Sequence, residues 1–106
     1  MQAGRTGEHF YEAEIHRLKG ELLLAHSMAN QKEAEACFHQ AVDVARRQQA
    51  KSLELRATMS LARLWQRQGQ RTAARELLAP IYDWFTEGFD TADLQEAKVL
   101  LEELSG

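Results

Sequence analysis

The spacing of apolar residues limits this chain more than any other feature. Tyr11, Ile15, Leu18, Leu22 and Ala25 follow one another at intervals of four, three, four and three, which places them on one stripe of an α-helix. Leu23 and Leu24 widen the stripe. The pattern returns in Ala34, Cys37, Phe38, Ala41 and Ala45, then in Leu55, Met59, Ala62 and Trp65, then in Ala74, Leu77, Leu78, Ile81 and Phe85, and last in Leu94, Ala97, Leu101 and Leu104. Leu61 and Leu64 add a second apolar side to the third of these segments, which predicts a helix covered from more than one direction. With 106 residues and a single proline, the expectation is one all-α domain.

The punctuation between stripes sets the expected boundaries. A first helix is predicted from about Glu8 to Ala29, entered at Thr6 or Gly7. Asn30 followed by Glu33 has the spacing of a capping box and predicts the start of a second helix, which runs to about Gln49. A third spans Ser52 to Gln68, with Gly69 placed for a left-handed C-terminal residue. Pro80 falls inside the fourth pattern and predicts a kink between Glu76 and Pro80, with a break at Ala79 as the alternative. Gly88 and Phe89 predict a Schellman turn in which Phe89 packs back on Trp84, and Asp90 or Thr91 then caps a fifth helix with one apolar side. The units are thus a hairpin over 8–49, a hairpin over 52–87 and a terminal helix over 91–104.

Charge is unevenly spread. Residues 46–75 carry eight basic side chains against the single acid Glu54, whereas Glu76 and the residues after it carry eight acids against Lys98. The lone Cys37 cannot form an internal disulfide, no apolar run reaches the length of a membrane span, and the first ten residues lack a signal-peptide core. A soluble, cytoplasmic protein is the expectation.

Two segments repeat. "HRLKGELLLA" aligns with "MSLARLWQRQ" by placing Gly20 on Ala62, and "KEAEACFHQAV" aligns with "RTAARELLAPI" by placing Ala34 on Ala74. The offsets are 42 and 40 residues, so the two internal turns differ in length by two. A small residue, an aromatic three later, a glycine at the turn, then alanine and a large apolar residue resembles the tetratricopeptide (TPR) pattern, best matched by Ala62, Trp65, Gly69, Ala74 and Leu78. The stretches "GEHFYEAEIHRLKGELLLA", "EAEACFHQAVDVARRQQAKSLELRA" and "LLAPIYDWFTEGFDTADLQEAK" further resemble the C-terminal region of large bacterial signalling proteins, in which a cyclase or kinase domain and an AAA-like ATPase precede a TPR array. The resemblance implies a detached terminal module, with catalytic domains upstream and none of their residues here. It also implies that the last helix caps the array, while the first hairpin lacks a cap and self-associates through the face an upstream repeat would cover.

The candidate chemistry is sparse. Six scattered glycines form no phosphate-binding loop. His9 and His16, two turns apart near Glu12, read as solvent-facing rather than as metal ligands, and Cys37 reads as a small core residue. No catalytic, cofactor or metal residue is therefore assigned. Arg56, Ser60, Arg63 and Arg67 share a helix face, and Arg71 and Arg75 follow on the next helix; these six are the candidate partner-binding residues, set against the reading of a solvated face answered by the acidic tail. Nucleic acid is disfavoured because no aromatic alternates with the basic stripe and the net charge is −3. Trp65, Trp84, Phe85 and Phe89 read mainly as core and corner rather than as a peptide groove. The function expected is a non-catalytic interaction or scaffold module, its partner a protein or an upstream domain of the same polypeptide. The rival reading is a regulatory part that relays a signal to an upstream ATPase or cyclase.

Overall fold

A computed structural model of the chain describes residues 11–85 and 92–105. Among the described residues five α-helices and no strand are formed: α1 Tyr11–His26, α2 Gln31–Arg47, α3 Lys51–Arg67, α4 Arg71–Trp84 and α5 Ala92–Ser105, with a short 3-10 turn, Met28–Asn30, between α1 and α2. The protein is an all-α fold of helical hairpins. The expected start near Glu8, the Gly88–Phe89 turn and the cap at Asp90 or Thr91 lie outside the described residues.

Each helix packs on its successor, and α1 also touches α3 while α3 touches α5. The odd helices therefore form one layer and the even helices the other, in a slab 47 × 36 × 19 Å whose least dimension is about two helix diameters. Helix α3 sits at the centre, which is why it buries nine of its seventeen residues. Its Leu55, Met59 and Ala62 meet Ala74, Leu78 and Ile81 of α4 and Leu94, Ala97, Leu100 and Leu104 of α5. On its other side Leu61 and Leu64 join Ala34 and Phe38 of α2. Each fully buried large side chain in these clusters contributes about 1.5–3 kcal/mol.

The turns explain the repeat. Helices α2, α3 and α4 begin at Gln31, Lys51 and Arg71, twenty residues apart, because α2 and α3 are equally long and end in the same three-residue turn. In the first, Gln49 N–H bonds the Arg46 carbonyl at 3.1 Å and Ala50 N–H bonds the Ala45 carbonyl at 2.9 Å; in the second, Gly69 bonds Gln66 at 3.1 Å and Gln70 bonds Trp65 at 2.8 Å. Both are Schellman turns. Each needs a left-handed residue, and the sequence supplies Gly69 at φ 82° but Gln49 at φ 57°. A side chain at that conformation costs about 1–2 kcal/mol. Gln49→Gly is accordingly expected to stabilise the fold and Gly69→Ala to destabilise it, each by about 1 kcal/mol in a urea titration. Changes of the same sign at the two sites, or both signs reversed, would show that the turns do not control the helix ends.

The turn after α1 is built differently. Ser27 is the N-cap of the 3-10 turn, its Oγ accepting from Ala29 N–H at 3.1 Å. Asn30 does not form the expected capping box: its side chain makes no bond to the start of α2 and instead donates from Nδ2 to the Leu23 carbonyl at 2.9 Å. That carbonyl lies in the last turn of α1 and also accepts from Ser27 N–H. The 3-10 turn brings Asn30 back over α1, where its amide group serves as a donor to that carbonyl. Residues 27–30 link this hairpin where residues 68–70 link the second, which accounts for part of the offset between the repeats.

Helix α4 runs through Pro80 without the break at Ala79. Pro80 is exposed, so the Glu76 carbonyl that it leaves without a donor is on the watery side of the helix. On α5, Leu94, Ala97 and Leu104 are buried as expected; Leu100 joins them, and Leu101 is half-buried at the edge.

Candidate interaction face

The stripe that opened the sequence is not core. Tyr11, Ile15, Leu18 and Leu22 are 59%, 54%, 49% and 70% exposed, and Ala25 is also exposed. What α1 buries is the opposite side, Ala13 and Gly20, with Leu23 and Leu24 half-buried beside it. The cause is distance of approach. Ala13 packs on Val44 and Ala45, and a Cβ at Gly20 would sit 2.5 Å from Phe38 Cε1. Only small residues let α1 lie this close to α2, so the bulky residues face out. Met28, 47% exposed, lies just beyond the end of α1.

Polar bonds fix how this face is presented. Glu14 takes two bonds from Arg17, from NH2 at 2.9 Å and Nε at 3.1 Å, and pairs with Arg56 NH1 of α3 at 3.3 Å. Ser60 Oγ of α3 donates to Glu21 Oε2 at 2.8 Å. Burial pushes the Glu14 carboxyl upward, but the bonds and charges of Arg17 and Arg56 outweigh it and hold the group below its ordinary value. A depressed carboxyl contributes stability above its unfolded value of about 4.5 and loses that contribution as pH falls through the folded value. Glu14→Gln is thus expected to be less stable than the parent at pH 7, with the difference closing towards pH 3. A constant difference between pH 7 and pH 3 in denaturant midpoints would contradict the charge pairing.

The basic stretch does not form one free ridge. Arg56 NH2 pairs with Asp93 Oδ2 at 3.0 Å, Arg63 NH2 with Glu96 Oε1 at 3.3 Å, and Arg71 NH2 bonds the Glu103 carbonyl. Gln66 Nε2 donates to Glu103 Oε1 at 3.3 Å. The bond to Asp93, with the charges of Asp93 and Glu14, raises the Arg56 guanidinium above its ordinary value against the effect of burial. Ser60 is buried. Of the six candidate residues only Arg67 and Arg75 are exposed with neither an ion pair nor a side-chain hydrogen bond among the described residues. The acidic tail answers the basic middle, as the solvated-face reading anticipated, and does so mainly across the α3–α5 contact. Between those helices runs an open groove of 440 Å³ lined by Arg63, Gln66, Arg67, Glu96, Val99 and Glu103, with both signs of charge along its walls.

The aromatics divide. Trp65 and Phe85 are half-buried against the core, whereas Trp84 is 53% exposed, edge-on to Phe85 at 5.0 Å and 5.3 Å from Lys51 Nζ; Phe89 lies outside the described residues. Cys37 is half-buried, and His9 falls outside the described residues. Among the described residues no three metal-ligating side chains converge and no helix is long and apolar enough to cross a membrane.

Sequence reasoning found the α1 stripe but not the anchors Glu14 and Glu21 that set its edge. The repeat itself held the signal: an offset near forty lays α1 parallel to α3, which brings Glu21 opposite Ser60. No family model, curated protein or solved structure matches this chain.

Proposed function

We propose that this chain is a non-catalytic protein-interaction module of TPR-like hairpins, which receives an apolar helix on the outer face of α1. The observation that carries the reading is the exposed row Tyr11, Ile15, Leu18 and Leu22 at one end of a helix stack whose other end is closed by α5. A stacked array leaves such a face where the next unit sits. The resemblance to the C-terminal arrays of bacterial signalling ATPases and cyclases gives the same reading a setting: a scaffold segment in the cytoplasm that meets an upstream domain of its own polypeptide or another protein. The groove between α3 and α5 is a poorer candidate, because its Arg63 is paired with Glu96 and its walls carry both signs of charge.

The test is a titration with a synthetic two-heptad helix bearing leucine along one seam, followed by the chemical shifts of α1. Saturable binding confined to α1 is expected, with affinity at least about tenfold weaker for Leu18→Asp/Leu22→Asp, a loss of about 1.4 kcal/mol. Both positions are exposed, so the variant keeps its helix content. Equal affinity for parent and variant, or shifts centred on α3 and α5, would remove the reading.

A further inference from the structure

The row on α1 is a heptad seam as well as an apolar area. Its four-three-four-three spacing assigns Ile15 and Leu22 to one core position of a coiled coil and Tyr11, Leu18 and Ala25 to the other. The seam lies diametrically opposite Ala13 and Gly20, so a helix laid along it approaches from the side away from α2. Ile15 followed by Leu18 is the core pairing that favours two parallel strands.

The flanks decide the orientation. Glu14 and Glu21 border the seam on one side, and Lys19 and His26 border it on the other. When two such helices run parallel and in register, Glu14 of one faces Lys19 of the second and Glu21 faces His26. When they run antiparallel, the register that sets Glu14 against Glu21 sets Lys19 against Glu12, so repulsion on one flank cancels the attraction on the other. Bonds from Arg17 and Arg56 to Glu14 and from Ser60 to Glu21 fix the two carboxylates along the α3 edge of the seam. We infer that the occupant of the seam is a second copy of this chain, its α1 paired parallel and in register about a two-fold axis along the seam. This rests on the helix-docking reading of α1 and adds the partner and its direction.

Sixteen residues of helix are about 24 Å long, a contact at the small end of the interface range. The dimer is therefore concentration-dependent. Sedimentation equilibrium of the whole chain from about 10 μM to about 1 mM is expected to show mass rising from one copy towards two. Leu18→Asp/Leu22→Asp stays at one copy throughout, and Lys19→Glu weakens the dimer about two- to fivefold at low salt. In a Cys37→Ala background, Ile15→Cys forms a covalent dimer on mild oxidation, because the parallel register sets position 15 against itself. A single-copy mass at every concentration overturns the inference, as does a dimer indifferent to the double aspartate variant, or the absence of a cross-link at position 15 in a chain that dimerises. The synthetic helix separates the two levels: binding of that peptide by a monomeric chain leaves the docking reading intact, and its failure to bind removes both.

Discussion

Phe38→Ala is expected to lower the unfolding free energy by about 3–5 kcal/mol, the largest loss available from any single truncation in the first hairpin. Phe38 is fully buried, and its ring lies against the backbone of α1 at Gly20 as well as beside Ala34, Leu61 and Leu64. The ring thus joins three helices. Removing it leaves a cavity that the rigid crossing of α1 over α2 cannot close. Gly20 is the reciprocal half of this contact: a glycine in mid-helix costs about 1 kcal/mol relative to alanine, and the fold accepts that cost because a side chain there would overlap the ring. Gly20→Leu alone is expected to be strongly destabilising through overpacking. Combined with Phe38→Ala, the leucine has the vacated space to occupy, so the double variant is expected to be more stable than the sum of the singles by about 0.5–3 kcal/mol. Strict additivity in guanidinium unfolding would show that the two residues do not share one site.

Ala97→Asp is expected to cost about 3–5 kcal/mol by placing a carboxylate in the middle of the α5 contact with no partner. Ala97 is fully buried between Leu94 and Leu100, against the α3 and α4 residues of the same cluster. The charge cannot reach water without moving α5. Burial raises the carboxyl above its unfolded value, so the damage is full at neutral pH and shrinks as the group protonates in acid. Val99→Asp on the same helix, 53% exposed, is the control and should change stability by less than about 0.5 kcal/mol. Equal effects of the two substitutions in thermal melts at pH 7 would mean that α5 does not close the core.

How much of this was legible beforehand depends on whether the signal was local. The periodicity placed all five helices, because side-chain spacing reflects a property of single elements. It identified α3 as covered on two sides from Leu61 and Leu64 alone, and the glycine at position 69 from its place behind the stripe. It missed the matching left-handed residue at Gln49, where a neutral polar side chain gives no warning. It also named Asn30 as a cap without seeing that the chain would fold it back on Leu23. The orientation of α1 was the largest gap. Spacing marks an apolar face but not which face a neighbour takes, and here the small residues Ala13 and Gly20 outcompeted four larger ones because close approach to Phe38 was decisive. For the candidate site, the basic residues were easy to see in the sequence. Their use was not, because Asp93, Glu96 and the Glu103 carbonyl answer them from more than thirty residues away.

Helix α3 makes direct contact with each of the other four helices. In long hairpin arrays, units touch only their immediate neighbours, and such chains can melt piecemeal from an end. That route is closed here, because no hairpin can leave without stripping a side of α3. Loss of structure should therefore be all-or-none, with the amides in the middle of α3 exchanging with solvent only when the whole chain opens.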